Sequence, residues 1–443
     1  MLEKRQIAQE FEVNISNAFR ESSIYRFCKF IIFGGTKLHI SSKIESEKIF
    51  RRISSMKKKE FEKELDHIIN FWSKLNDPEF GGFYGVVDYD LNIDKKADKG
   101  CILMSRILWF YSNAYLLKRD PDLLEYAASA FEFLRDYCVD QENGGVYWSV
   151  TYDGKPKDDS KHTYCISFAI YALTSYFDAS NDYSAIDLAY KLQDVIEDKC
   201  KDEFGYLEAM DVKFYKISND KLSENGVIAD RTMNTLLHIL EAYTELYRVT
   251  DDARTYDLLR AILYRLNTDV YDEENKFLRV FFDNDYNSII DLQSYGHDIE
   301  ASWLIYRSLE ILQDEILYEK YTPMVLQLAD TTIKAMFIDG RSMPYECENG
   351  KINTNRVWWT QAEAIIGFYN ANSIDHKRKD YLEASEAIWE FTKDKMIDSR
   401  ENGCWYNELD ASYNPIKMDI VNEWKCPYHN GRMCIEMIRR LYK

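Results

Sequence analysis

The sequence predicts an all-α protein, an (α/α)6 barrel with short β-hairpins or aromatic turns on one face, preceded by an N-terminal extension. Amphipathic helical runs recur in pairs, such as Ile102 to Leu117 followed by Leu123 to Tyr137, with apolar residues at the i, i+3, i+4 and i+7 spacing of one helix face. A turn rich in glycine or asparagine and followed by aromatics separates the pairs. Its landmarks Gly82, Gly145, Gly205, Phe277, Gly340 and Gly403 stand 63, 60, 72, 63 and 63 residues apart. Six units of helix, loop, helix and aromatic turn can form an open solenoid or a closed ring. Uneven turn lengths, and the residues that cluster at one side of each unit, favour closure around a central pocket.

The chain divides by charge before it divides by pattern. Residues 1 to 59 carry 13 Lys and Arg against 6 Asp and Glu, a net charge of +7, whereas the remainder carries 43 against 69, a net charge of −26. Helical periodicity starts after Met56 and its three following lysines, with Phe61, Leu65, Ile68, Ile69 and Trp72. Residues 1–55 therefore read as an extension of unknown role, expected to be partly disordered. Residues 56–443 read as the barrel. The unit turns follow in order as FGGFYGVVD, NGGVYWSV, FGYLEAM, ENKFLRVF, DGRSMPYE and NGCWYNEL.

Composition narrows the function. With 46% hydrophobic residues the chain can fill a large core, and its net charge of −19 repels nucleic acid and anionic membrane surfaces. Aromatic content of 15%, with 33 Tyr and 9 Trp, suits the flat faces and hydroxyl edges of sugars as well as a large core. Nine cysteines without paired CxxC spacing indicate neither a disulfide framework nor a zinc site, which fits a cytoplasmic location. The best candidate for a membrane span, FCKFIIFGG, is too short and is interrupted by Lys29. No secretory signal pattern opens the chain. Phosphate-binding glycine loops, dinucleotide fingerprints, GxSxG and HExxH are all missing from the sequence, which disfavours kinases, dehydrogenases, serine-type hydrolases and zinc proteases.

Seven histidines supply the chemical candidates. His39 lies in the extension, and His67, His162 and His376 stand among polar residues and read as surface positions. Three others stand apart. In WKCPYHNGRMCIE, Pro427 fits only before or within a first helical turn, so His429 sits at a helix mouth. Partial positive charge there favours a neutral imidazole, the form a general base needs. His297 in SYGHDIEASWL repeats that placement, with Glu300 one turn on. His238 shares a helix face with Asn234 in RTMNTLLHILEAY. In RVWWTQAEAI, Trp359 and Glu363 lie one turn apart, an aromatic platform beside an acceptor. Arg106 interrupts an apolar helix, and a guanidinium there needs a carboxylate or a substrate oxygen as partner. Two histidines and a glutamate could ligate a metal, but no local ligand pair supports it.

The strings KGCILMSRILWFYS, NGGVYWSV, KHTYCISFAIYAL, MNTLLHILEAYTELY, SYGHDIEASWL, WWTQAEAIIGFYN and WKCPYHNGRM resemble those of the N-acylglucosamine 2-epimerase superfamily, and within it the cellobiose 2-epimerases. The resemblance runs in order from about residue 56 to the C-terminus, and residues 1–55 match nothing in it. It implies an (α/α)6 barrel without cofactor or metal, acting on a neutral β-1,4-linked disaccharide such as cellobiose. A monomer is expected, with a dimer as the alternative. Inversion at C2 of the reducing-end sugar needs two acid/base groups on opposite sides of an enediolate. Carried over position by position, His429 and His297 form that pair, and His238 assists ring opening or holds the substrate. Arg106 faces the developing oxyanion. Tyr164, Asn234, Glu300, Trp303 and Glu363 bind hydroxyls or support the histidines. Trp358 or Trp359 packs on the reducing-end sugar, and Trp424 stacks on the second sugar. The alternatives are an N-acylglucosamine 2-epimerase or aldose–ketose isomerase of the same fold, and an (α/α)6 glycoside hydrolase using Glu300 and Glu363.

Overall fold

The computed structural model describes residues 43–219, 221, 226–336 and 339–441. Most of the expected extension, residues 1–42, lies outside the described residues. The first described helix, α1 (Lys43–Ser73), passes through Met56 without a break.

Twelve α-helices follow one another among the described residues, in six pairs. The inner helices are α2 (Cys101–Lys118), α4 (Thr163–Ser180), α6 (Met233–Thr250), α8 (Tyr295–Leu312), α10 (Trp358–Ile374) and α12 (Tyr428–Arg440). Each contacts the next, and α12 returns to α2, so the ring is closed. The outer helices are α1, α3 (Pro121–Phe133), α5 (Tyr183–Lys199), α7 (Ala253–Arg265), α9 (Glu315–Met336) and α11 (Lys379–Phe391). Packing explains the two sequence patterns. Helix α2 is buried continuously from Cys101 to Ala114, as an element enclosed on every side must be, whereas α7 buries only a stripe of Thr255, Leu259, Ile262 and Leu263.

The inner-to-outer links are short because two adjacent residues do two jobs. Arg119, Asn181, Asp251 and Gln313 end their inner helices in the left-handed conformation, each donating its N–H to the carbonyl four residues back. The next residue, Asp120, Asp182, Asp252 or Asp314, accepts backbone N–H groups of the following helix as its N-cap. The helix pairs therefore run antiparallel, and all inner N-termini fall at one end of the barrel.

That end is ringed by hairpins. The strand leading into each of the first five inner helices pairs antiparallel with the hairpin of a later unit: Lys99–Gly100 with Ser149–Val150, Lys161–His162 with Ala209–Met210, Arg231–Thr232 with Phe281–Phe282, Leu292–Ser294 with Glu346–Glu348, and Arg356–Val357 with Glu408–Leu409. Val87 and Val421 exchange backbone hydrogen bonds, Val87 donating at 3.1 Å, and join the last unit to the first. Sheet pairing thus closes the same ring that helix packing closes.

A buried ionic lock recurs in the turns. Asp77, Asp140, Asp202, Asp272, Asp339 and Asp398 each accept N–H groups from residues two or three further on, which shapes the turn. In four units the second oxygen takes a cation from the strand entering the next inner helix. The pairs are Asp77–Lys99 at 2.7 Å, Asp140–Lys161 at 2.9 Å, Asp202–Arg231 at 2.6 Å and Asp339–Arg356 at 2.7 Å. Turn and helix entry are thereby tied together. This lock also corrects the reading of His162 as a surface residue. His162 is buried, its ring 4.7 Å from that of Trp148, because its polar neighbour Lys161 points inward to Asp140.

Removing one partner of such a pair strands a charge in a dry interior, at a cost of roughly 3–5 kcal/mol, whereas replacing both partners with apolar residues of similar volume costs less. Asp140→Ala should therefore destabilise the protein by that amount in urea unfolding. The double substitution Asp140→Leu with Lys161→Met, which leaves neither charge buried and unpaired, should cost clearly less.

Candidate active site

The predicted residues converge at the inner N-termini. Arg106 comes from α2, Tyr164 from α4, Asn234 and His238 from α6, His297, Glu300 and Trp303 from α8, Trp358, Trp359 and Glu363 from α10, and His429 from α12. Trp424 approaches from the loop before α12. The helix ends aim at one axial space because every inner helix enters it from the same hairpin ring.

His297 and His429 both lie close to one tryptophan. The Trp359 ring centroid lies 4.8 Å from His297 and 5.6 Å from His429. Gly296 makes this approach possible, since a Cβ there would come within 2.5 Å of the Trp359 ring. Trp359 is half-buried and presents a face. Trp358 is buried edge-on to His429 with Lys425 Nζ 4.2 Å from its ring centroid, so of the two tryptophans Trp359 is the one placed as a sugar platform.

Each imidazole is held from behind. His429 Nδ1 lies 2.7 Å from Glu363 Oε1, and His238 Nδ1 lies 2.8 Å from Glu241 Oε2. A carboxylate only accepts, so Nδ1–H donates and Nε2 is left with its lone pair. His297 Nδ1 meets Ser294 Oγ at 2.7 Å. Burial pushes both members of the expected pair toward the neutral form. It lowers His297 to about 3, with His238 adding to the effect. It also holds His429 well below the usual histidine range, helped by the charges of Arg432 and Arg106.

Beneath the histidines sits a residue that sequence reasoning missed. Arg432 is fully buried and pairs with Glu241, Glu300 and Glu363, the last at 2.7 Å. Tyr428 OH donates to Glu241 Oε1 at 2.6 Å, and Trp303 Nε1 donates to Glu363 Oε2 at 2.9 Å. Glu363 thus holds His429 directly, while Trp303 and Glu300 meet it through Glu363 and Arg432. Burial first, and the neighbouring Glu363 second, raise Glu300 to about 7 against the pull of Arg432. Arg432 with His238 and Tyr428 more than offsets burial at Glu241 and holds it below the usual carboxylate range. The signals for Glu241 and Arg432 were local: each stands three residues after a candidate histidine, on the same helix face.

Glu300, Glu363 and His429 bring ligand atoms within 4.8 Å of one another, close enough for a metal ion. Arg432 already places its positive charge between the two carboxylates. The donor set is therefore built around a guanidinium.

Arg106 stands at the opposite wall. Its Nη2 donates to Tyr164 OH at 2.7 Å and its Nη1 to the Trp424 carbonyl at 3.3 Å, while Nε has no partner among the described residues. It pairs with no carboxylate among them, and its charge rests over the Phe168 ring at 4.2 Å. That leaves a buried cation whose charge no carboxylate among the described residues neutralises. Asn234 Oδ1 is likewise buried without a partner among the described residues. Trp424 is half-buried, 5.4 Å from Trp148 and 6.0 Å from Tyr164, and continues the aromatic wall outward.

Barrel and site together define the class, an (α/α)6 sugar epimerase. The sequence profile of N-acylglucosamine 2-epimerase (GlcNAc 2-epimerase) matches residues 82–430. The cellobiose 2-epimerase of Ruminococcus albus is 48% identical over 376 residues, covering 85% of this chain and 96% of that protein. The cellobiose 2-epimerase of Eubacterium cellulosolvens is 47% identical, covering 84% and 96%. The solved structure of cellobiose 2-epimerase from Bacillus thermoamylovorans B4167 superposes with a TM-score of 0.84 at 46% identity, over 87% of this chain and all of that one. The chain belongs to the N-acylglucosamine 2-epimerase family.

The buried histidines make stability depend on pH in a defined sense. The unfolded state binds a proton at each near pH 6.5, whereas folded His297 does so only near pH 3. Their contribution is therefore complete above pH 6.5 and is lost progressively as pH falls through that window. Melting temperatures should drop on acidification from pH 6.5 toward 4, and His297→Asn should flatten that slope.

Proposed function

We propose that this chain is a cellobiose 2-epimerase, reversibly converting the reducing-end glucose of a β-1,4-linked disaccharide into mannose. The observation that carries the reading is the pair of histidines beside Trp359, both pushed toward the neutral form. The open-chain aldehyde lies on that tryptophan with C2 between the two rings. One imidazole removes the C2 proton, and the electron pair moves into a C1=C2 bond as O1 takes the negative charge. Arg106, which no carboxylate among the described residues neutralises, faces that oxygen. The other imidazole returns a proton to C2 from the opposite face. His238, backed by Glu241, serves the ring oxygen or O1 during ring opening. Trp424 carries the second sugar.

The carboxylates argue against glycoside hydrolysis. That chemistry needs two carboxyl groups flanking the glycosidic bond. Glu300 and Glu363 instead share Arg432 under the floor, 1% and 0% exposed. Neither reaches a substrate.

Incubation with cellobiose in heavy water should give glucosyl-mannose carrying deuterium at C2, read by NMR. Free glucose would indicate hydrolysis, and a ketose would indicate isomerisation. His297→Asn and His429→Asn should each lower turnover by about 10²- to 10⁴-fold with the fold retained by circular dichroism. Full activity in either would overturn the two-base scheme.

Trp424→Ala should weaken disaccharide use by about 1 kcal/mol of stacking while leaving monosaccharide turnover nearly unchanged. Steady-state kinetics on cellobiose and glucose separate the two.

A further inference from the structure

Two bases of this kind raise a difficulty. Returning a proton to C2 requires a protonated donor, yet the surroundings of His429 oppose an imidazolium. The arrangement beneath His429 offers a way round it. Glu300 and Glu363 both contact Nη2 of Arg432, and His429 Nδ1 lies 2.7 Å from Glu363 Oε1 and 4.0 Å from Glu300 Oε1. The groups facing them are Glu241 and His238 from α6, Tyr164 from α4, and Tyr428 and Arg432 from α12. Three carboxylates share one guanidinium. With all three ionised the cluster would hold an excess of negative charge in a dry interior, which a single proton relieves.

We propose that Glu300 and Glu363 together hold one exchangeable proton, which lets His429 act as acid or base by switching tautomer without becoming an imidazolium. Glu300 is here a positioning residue, since it meets the reaction only through Glu363 and His429. The inference rests on the epimerase reading above and extends it.

Protons balance at each step. When His429 acts as base, the C2–H bond breaks and its proton goes to Nε2. The Nδ1 proton passes to Glu363 Oε1, and the ring remains neutral. When His429 acts as acid, Nε2–H passes to C2 as the enediolate collapses, and Nδ1 recovers a proton from Glu363. Glu363 and Glu300 are alternative holders of that proton, since a proton on either relieves the excess negative charge around Nη2 of Arg432. His297 performs the opposite step and, being half-buried, exchanges with water. The store is reset by the reverse turnover or by water. A titration of Glu300 near neutrality, already derived from its burial, suits such a store.

The test is Glu300→Gln, which keeps an acceptor for Arg432 but cannot hold the proton. It should lower kcat for cellobiose by about 10- to 100-fold with KM little changed, on the scale of losing a group behind a functional side chain. The ionisation near neutral pH should also vanish from its kcat profile, and Glu300→Asp should restore it. If Glu300→Gln keeps the parent's profile, the relay is wrong and Glu300 only fixes Arg432. Should the variant fail to fold, infrared spectroscopy of the unmodified protein decides. A buried carboxylic-acid carbonyl band that disappears as pH rises through neutrality supports the store, and its absence at acidic pH overturns it. An unmodified protein that places no deuterium at C2 of cellobiose refutes the epimerase reading itself. Deuterium at C2 with an unchanged Glu300→Gln profile refutes only the relay.

Discussion

A single guanidinium organises both the barrel and its floor. Arg432 leaves α12, the last inner helix, and reaches carboxylates on α6, α8 and α10. Four of the six inner helices thus meet at one charge. A buried ion pair adds little net stability over a well-packed apolar core, but a misplaced partner is very costly. What Arg432 contributes is therefore register. The axial rotation and height of α6, α8 and α10 must agree to bring three glutamates to one fork. His238 is aimed by Glu241 and His429 by Glu363, so the same agreement aims both rings.

The hairpin ring answers the corresponding question at the barrel rim. Four units use a turn aspartate to grip the cation at the entry of the next inner helix, and the other two depart from the rule. In unit four the entry position is the neutral Gln293, which donates to Asp298 at 2.9 Å inside α8, the helix that carries His297 and Glu300. In unit six Asp398 is taken by Arg400 at 2.6 Å, and the freed Lys425 lies on Trp358 beside His429. Both departures occur where an entry strand delivers one of the two paired histidines. A lock that serves only to fix a helix start is relaxed where the first turn of that helix must also be shaped around a ring.

This division explains what could be read from the sequence. The repeat of about 60 residues, the two helix patterns and the aromatic turns are local, and they specify six helix pairs and closure. Arg106, His238, His297, Trp359 and His429 were visible because each breaks the pattern around it or sits at a helix mouth. Pairings across the barrel were not visible. Glu241 and Arg432 are 191 residues apart and Glu300 and Arg432 are 132 apart, and nothing in either segment names the other. The polar setting of His162 misled for the same reason. Lys161 looks exposed until Asp140, 21 residues earlier, is seen to face it.

The placement of His429 shows how a correct expectation can have an incomplete cause. A helix mouth favours neutral imidazole through partial charges of its N–H groups, an effect of about 0.3–1 kcal/mol at exposed sites. His429 is indeed the second residue of α12, after Pro427. Its depressed basicity, however, arises first from burial and then from Arg432 and Arg106. Burial alone already fixes the direction, and the dipole at the helix mouth acts in the same sense. Burial is also what forbids the ring from carrying a full charge through the reaction. A base made neutral by the dipole alone could pass through imidazolium in contact with water. One made neutral by enclosure must pass its second proton to a neighbour, and Glu363 on Arg432 is the neighbour the fold provides.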